Sequence, residues 1–107
     1  MDARTERIGR NEDLFRKVND QIEGVNEAFG TITGTMSLLC ECGTLECIEQ
    51  IDLTVDEYRA LRAHPRRFAV KPGHEIPDVE RVMERHERYF VVEKAKGDAA
   101  RLAEDLA

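Results

Sequence analysis

The residues best suited to chemistry are three cysteines within eight positions of one another. Cys40, Cys42 and Cys47 form a C-x-C-G-x3-C arrangement in the segment CECGTLEC. Thiolate sulfur is a preferred zinc ligand, and structural zinc takes four such donors in a tetrahedron, with sulfur at about 2.3 Å. A turn that presents two thiolates from one short loop needs a residue that tolerates positive φ, and Gly43 supplies it. The spacing therefore predicts a zinc site that Cys47 closes.

A fourth ligand is needed, and the chain offers three histidines. His74 is preferred because it lies on a Pro-Gly turn in a segment that otherwise has the composition of a loop. His86, at the tip of a predicted hairpin, and His64 are the alternatives. Glu75, beside His74, could hydrogen-bond a ligating imidazole. A water molecule in place of histidine would leave an open coordination position.

Other interpretations of the cysteines are buried small residues, redox thiols or ligands of an iron–sulfur cluster. The acidic neighbours Glu41 and Glu46 indicate a charged loop, which is not the environment of a core cysteine. Acidic neighbours also favour a bound cation over a free reactive thiolate, because reactive thiols need electropositive surroundings. Zinc is therefore the favoured cofactor.

A second candidate site is a basic strip in residues 59–71, which contain no acidic side chain. Its members are Arg59, Arg62, Arg66, Arg67 and Lys71. Arginine suits phosphate and carboxylate groups, so the strip could contact nucleic acid or an acidic partner. The alternative is an ordinary surface paired with neighbouring glutamates.

A long N-terminal amphipathic helix is predicted to begin near Asn11, which can cap it, and to end at Gly30. Its apolar residues recur at intervals of three and four, which places them on one stripe. They are Phe15, Val18, Ile22, Val25 and Phe29. The stripe can cover the protein's own sheet, or it can form a coiled-coil homodimer through this helix.

The remaining elements are predicted from shorter patterns. Residues 30–35 indicate a hinge or a turn into a strand, residues 36–40 and 47–53 indicate two strands, and residues 68–70 indicate a third strand. The segment TVDE, from Thr54 to Glu57, is a capping box that begins a helix ending near Ala63. Residues 79–94 predict a β-hairpin that turns at 86–88, with a single helix as the alternative. Residues 97–107 predict either a short helix capped by Asp98 or a fraying tail.

Composition limits the class of protein. The chain has 107 residues, a length that suits one domain. We assign residues 1–10 to a frayed N-terminus, residues 11–94 to a single α+β zinc-binding domain, and residues 95–107 to a C-terminal tail or short helix. A net charge of -6 disfavours general binding to nucleic acid or anionic membranes. No secretory signal or membrane-spanning stretch is visible, so the expected location is the cytoplasm.

The motifs CECG…C, LTVDEY, PRRF, PGHE and ERH resemble those of a group of small uncharacterised actinobacterial proteins. The resemblance covers about residues 11–94. It implies that the CECG…C and PGH segments belong to one module, and it lends no catalytic residue because no function is assigned to the group.

The expected fold is α+β, with an N-terminal helix, a small antiparallel sheet, a central helix and a zinc-stabilised loop. The sequence contains no phosphate-binding glycine loop, G-x-S-x-G or His-Glu-x-x-His motif. The predicted function is therefore a non-enzymatic zinc-binding protein with a role in protein interaction or regulation. The alternatives are a small zinc enzyme with an open coordination site and a nucleic-acid-binding module that uses the basic strip.

Overall fold

Within the residues that the structure describes, the protein has an α+β fold of three helices and two small antiparallel sheets. The computed structural model describes the backbone of residues 1–28 and 34–107 and the side chains of residues 1–25 and 34–107. The elements in chain order are α1 (Ala3–Ala28), β1 (Thr35–Leu39), β2 (Gln50–Thr54), α2 (Val55–Arg62), β3 (Arg67–Val70), β4 (Glu80–Arg85), β5 (Phe90–Lys94) and α3 (Asp98–Leu106). The expected helix end at Gly30, the Phe29 position and most of the expected hinge lie outside the described residues.

Helix α1 begins at Ala3, so the expectation of frayed residues 1–10 is wrong, as is the expected cap at Asn11. The carboxylate of Asp2 accepts a hydrogen bond from the Thr5 backbone N–H at 2.8 Å, which satisfies an N-terminal amide of the helix. The first turns are held by packing, since Ile8 is buried and α1 packs against α3. That support comes from distant parts of the chain, which local sequence patterns do not reveal.

The apolar stripe predicted on α1 is divided between two faces. Phe15 is buried and Ile22 packs against the main apolar core, as expected for a helix that covers its own protein. Val25, by contrast, is 57% exposed. Phe15 and Ile22 therefore face inward and are not available to a partner helix.

Sheet A consists of β1 and β2, which pair antiparallel so that Leu38 lies opposite Ile51 and Met36 opposite Leu53. Both strands alternate exposed and buried residues, so one face of the sheet is apolar. Helix α2 follows at once, and the predicted capping box is confirmed. Its buried residues are Val55, Tyr58 and Leu61.

Sheet B has the strand order β3-β5-β4, and all its pairs are antiparallel. The predicted hairpin is confirmed: β4 and β5 pair across a turn in which the His86 N–H donates to the Tyr89 carbonyl at 2.9 Å. The register of the two strands shifts between Val82 and Glu84, which marks a β-bulge.

Sheet B separates two apolar clusters because successive residues of β3 and β5 point to opposite faces. One face carries Ala69 and Val91, which pack with sheet A and α2. The other face carries Phe68, Val70 and Val92, which pack with Ala103 of α3 and with cysteine side chains. Both faces are covered, so β3 and β5 are almost continuously buried.

Helix α3 confirms one of the two expectations for the C-terminal segment. Gly97 occupies the N-cap position and makes no side-chain cap, so the expected cap at Asp98 is wrong. Asp98 lies in the first turn, where its carboxylate accepts a hydrogen bond from Arg101 at 2.6 Å. Burial of Leu102 and Ala103 anchors the helix. Within residues 1–28 and 34–107, no helix is long and apolar enough to cross a membrane.

Candidate metal centre

Residues 40–49, which we call the metal loop, connect β1 to β2 and also join sheet A to sheet B. The Cys40 N–H donates to the Glu49 carbonyl at 3.0 Å, which extends the pairing of sheet A by one bond. The next N–H, of Glu41, donates to the Ala69 carbonyl of β3 at 2.9 Å. The start of the loop is therefore fixed by backbone bonds to both sheets.

Gly43 turns the chain directly after Cys42, with φ of 80°. A Cβ at this position would lie 2.8 Å from Ile8 Cγ2 and 3.1 Å from Glu12 Cγ, so the loop backbone rests against α1. The side-chain amide of Asn11 donates to the Gly43 carbonyl at 3.0 Å. Glycine is needed here for its conformation and for the close approach of the helix.

Cys47 lies in the loop and does not begin β2, which starts at Gln50; the expectation of a strand from residue 47 is wrong. Its N–H donates to the Thr44 carbonyl at 3.0 Å, which closes a tight turn. That turn folds Cys47 back toward Cys42, a geometry that an extended strand could not give.

His74 is presented by the predicted Pro-Gly turn after β3. The His74 N–H donates to the Lys71 carbonyl at 2.9 Å, and Gly73 has φ of 92°, as a type II turn requires. The turn places the imidazole over the metal loop. Its Nδ1 lies 3.5 Å from the Sγ of Cys40 and 3.6 Å from the Sγ of Cys47.

The four side chains form one compact donor set. The ligand atoms of Cys40, Cys42, Cys47 and His74 all lie within 4.8 Å of one another. Bond lengths of about 2.3 Å to sulfur and about 2.0 Å to nitrogen put the sulfur and nitrogen corners of a tetrahedral zinc site about 3.5 Å apart. The observed Sγ to Nδ1 distances match that value, so the set could hold a metal ion of the size and preference of zinc.

Backbone N–H groups favour the thiolate form of each sulfur. The Lys71 N–H donates to Cys40 Sγ at 3.2 Å. The Thr44 N–H donates to the sulfur of Cys42, and the Glu49 N–H donates to the sulfur of Cys47. In both cases the donor lies two residues after the cysteine. Hydrogen bonds to a ligating sulfur orient it and support its negative charge.

The three thiols nevertheless compete for negative charge. The pKa of Cys42 is lowered to about 4, chiefly because the Cys40 thiol donates a hydrogen bond to it. The same hydrogen bond, together with burial, raises the pKa of Cys40, and burial raises the pKa of Cys47. Negative charge on one sulfur thus disfavours ionisation of the other two. A divalent cation at the centre would allow all three to ionise, which is the linkage expected of a thiolate metal site.

Glu41 anchors the C-x-C segment from the opposite side, a role that the sequence analysis missed. Its side chain is fully buried, and one carboxylate oxygen accepts hydrogen bonds from Arg62 at 2.7 Å and from the Ala69 N–H at 3.0 Å. The other accepts from Asn19 at 2.8 Å. In an extended C-x-C segment the middle side chain points away from the two cysteines. This alternation could have predicted that Glu41 lies on the opposite side of the segment from the sulfurs.

The expectation that the cysteines lie outside the core is wrong. Cys40 is 1% exposed and Cys42 2% exposed, and both pack in the cluster that contains Phe68 and Val92. The charge of Glu41 is compensated inside the protein by Arg62, so an acidic neighbour in the sequence did not indicate a solvated loop. Cys47 and His74, by contrast, are half-buried.

The other two histidines lie outside this donor set. His86 Nε2 is 2.8 Å from a carboxylate oxygen of Glu84, and its ring stacks on Tyr89 at 4.5 Å between centroids. His64 is exposed just beyond α2. Of the three histidines, all of which the structure describes, only His74 joins the sulfurs.

Each member of the basic strip faces a carboxylate, at distances from 2.7 to 3.1 Å. The pairs are Arg59 with Glu23, Arg62 with Glu41, Arg66 with Glu104, Arg67 with Glu93, and Lys71 with Glu49. Arg62 also lies over the rings of Tyr58 and Phe68. This arrangement favours the interpretation of an ion-paired surface, and a nucleic-acid contact through the strip stays a prediction.

An open cleft of about 520 Å³ borders one side of the donor set. Its lining consists of Cys42, Thr44, Glu46, Cys47, Ile48, Glu49, Gly73 and His74. Cys40 is absent from the lining. The site therefore has a buried side, formed by Cys40 and the apolar cluster, and a side that faces the cleft.

Fold and site together define a small α+β protein whose Cys3His cluster could hold a metal ion. Comparison of the chain with protein-family models, curated proteins and solved structures gives no match.

Proposed function

We propose that this protein is a small zinc-binding interaction module, in which one structural zinc ion fastens the metal loop and presents its outer surface to a partner protein. The observation that carries the proposal is the donor set of Cys40, Cys42, Cys47 and His74, with sulfur-to-nitrogen distances that fit a tetrahedron. Three sulfurs and an imidazole are typical ligands of structural zinc.

The completeness of the donor set favours a structural site over a catalytic one. Catalytic zinc sites keep one position open for water, whereas here the protein supplies four donors. His74 comes from the turn after β3, and the cysteines come from the loop between β1 and β2, so the ion would tie the two sheets together. In a domain of this size such a link adds substantially to a modest core.

The outer part of the metal loop supports the interaction role. Ile48 is 86% exposed and Leu45 is 60% exposed, so two large aliphatic side chains of the loop face solvent. Zinc ligation would hold both in a fixed arrangement, and preorganised apolar side chains bind a partner with less loss of entropy.

The partner that we propose for helix α1 is a second copy of the chain. Its outer stripe consists of Leu14, Val18, Gln21 and Val25, which recur at intervals of four, three and four. That spacing is the heptad pattern of a helix pair. Three apolar positions among the four suit a weak or concentration-dependent dimer.

Metal content tests the zinc half of the proposal. Protein purified without chelator is expected to contain one zinc per chain by elemental analysis. Cobalt substitution then tests the ligand set: His74→Ala should lose the four-coordinate cobalt spectrum, while the matched variant His86→Ala keeps it. Absence of metal from the purified protein, or equal spectra for the two variants, would contradict the assignment.

A further inference from the structure

The four proposed ligands differ in how far solvent reaches them. Cys40 is 1% exposed, lies against the apolar cluster and does not border the cleft. Cys47 and His74 are half-buried and form part of the cleft lining. A small molecule that enters the cleft therefore meets the Cys47 sulfur before the other two.

We infer that Cys47 is a site of oxidative modification, and that its oxidation by a peroxide releases the metal through a disulfide with Cys42. The inference rests on the proposed zinc site and assigns a mode of regulation to it. Zinc-bound cysteine is deprotonated, and the thiolate is the form that reacts with peroxides.

The reaction balances with hydrogen peroxide as the only oxidant. The Cys47 thiolate attacks one peroxide oxygen, the O–O bond breaks, and Cys47 becomes a sulfenic acid while hydroxide leaves. The Cys42 thiolate then attacks the Cys47 sulfur and displaces a second hydroxide, which forms the disulfide. Two thiolates are oxidised by two electrons, one peroxide is reduced, and solvent protonates both hydroxides.

Cys42 is the resolving cysteine because it borders the same cleft as Cys47. The two are joined by a short loop in which Gly43 has a positive φ and the Cys47 N–H bonds back to the Thr44 carbonyl. Cys40 lies on the other side of the donor set, does not border the cleft, and has its backbone N–H bonded to the Glu49 carbonyl. A bond between Cys40 and Cys42 would also close a small, strained ring.

Loss of two sulfur donors leaves only Cys40 and His74, which is too few for a structural zinc site. The backbone bonds of Cys40 and Glu41 to the two sheets do not involve sulfur, so the start of the metal loop keeps these anchors after the zinc is released. The region that changes is the outer part of the metal loop, which carries Leu45 and Ile48. Oxidation therefore alters the proposed interaction surface and leaves the rest of the domain intact.

The test begins with zinc-loaded wild-type protein whose metal content has been measured. One equivalent of hydrogen peroxide should release one zinc to a chromogenic chelator, and dithiothreitol with added zinc should restore binding. Cleavage after glutamate, at Glu41 and Glu46, places the three cysteines in separate peptides. Mass mapping should then show Cys42 linked to Cys47, with Cys40 free to react with iodoacetamide.

Alkylation of the zinc-loaded protein gives a second measurement that needs no variant. Limited iodoacetamide should label Cys47 several-fold faster than Cys40. Equal labelling of the three cysteines, a disulfide that contains Cys40, or full retention of zinc after peroxide would overturn the inference. Protein that contains no zinc at the start would refute the proposed function itself, so the two failures are distinguishable.

Discussion

Substitution of Gly43 by alanine should destabilise the protein more than the same change at any open glycine. The residue has φ of 80°, and a non-glycine residue in that left-handed region costs about 1–2 kcal/mol. The new Cβ would also lie 2.8 Å from Ile8 Cγ2 and 3.2 Å from the Ile8 carbonyl oxygen. Forcing an extra carbon into such a contact costs about 1–3 kcal/mol. The expected loss is therefore about 2–5 kcal/mol.

Two glycines provide matched controls. Gly73 has φ of 92° and no atom within 4 Å of the position that a Cβ would take, so Gly73→Ala should show only the backbone strain of about 1–2 kcal/mol. Gly24 lies in the exposed part of α1 with open space around it, and Gly24→Ala should stabilise the protein by about 0.5–1 kcal/mol.

The measurement is urea unfolding of zinc-loaded protein, followed by circular dichroism at a fixed free zinc concentration, because bound metal adds to the apparent stability. A double-mutant cycle with Ile8→Ala isolates the contact: removal of Cγ2 should make the double variant less destabilised than the sum of the single variants. The reasoning is refuted if Gly43→Ala loses no more stability than Gly73→Ala, or if the cycle shows additivity.

Three further predictions concern other parts of the molecule. Glu41→Gln should lower stability by about 3 kcal/mol because it removes the buried carboxylate that faces Arg62, whose side chain is only 15% exposed. Urea unfolding measures this against the exposed control Glu49→Gln, and equal effects would contradict the anchoring role. Burial raises the pKa of Glu12 to about 8 from 4.5, so the native state holds a proton that the unfolded chain releases. Stability should fall as pH rises from about 5 to about 8, and Glu12→Gln should flatten that fall; an unchanged pH profile in the variant would show that Glu12 is not responsible. Val25→Lys on the outer stripe should abolish any concentration-dependent dimer in light scattering, and a wild-type chain that stays monomeric at millimolar concentration would exclude the dimer.

Much of the local structure could be predicted because the signals were local. The capping box at Thr54, the alternation in β1 and β2 and the Pro-Gly turn before His74 each depend on residues a few positions apart. The structure brings His74, and neither of the other two histidines, close to the three sulfurs; its role as a metal ligand stays a prediction.

The failures share a different cause. The start of α1 at Ala3 and the burial of Glu41 depend on contacts with α3, with Arg62 and with β3, which are far away in the chain. A buried carboxylate is tolerated where a cation and hydrogen-bond donors surround it, and their arrangement follows from packing. Local pattern gives a charged residue an exposed position by default, which is wrong wherever tertiary structure supplies the partner.

The sequence alone determined which atoms could bind a metal, namely three thiols in one short segment and an imidazole on a tight turn. Ligand chemistry depends on residue type, and the local shape of a loop depends on its glycine and proline residues, so both can be predicted from the sequence. Tertiary structure decided that these donors meet at the junction of the two sheets, with Cys40 buried and Cys47 facing the cleft. It did so because the pairing of Glu41 with β3 and the packing of Gly43 against α1 fix the loop's position. Such long-range contacts form only when the whole chain has folded.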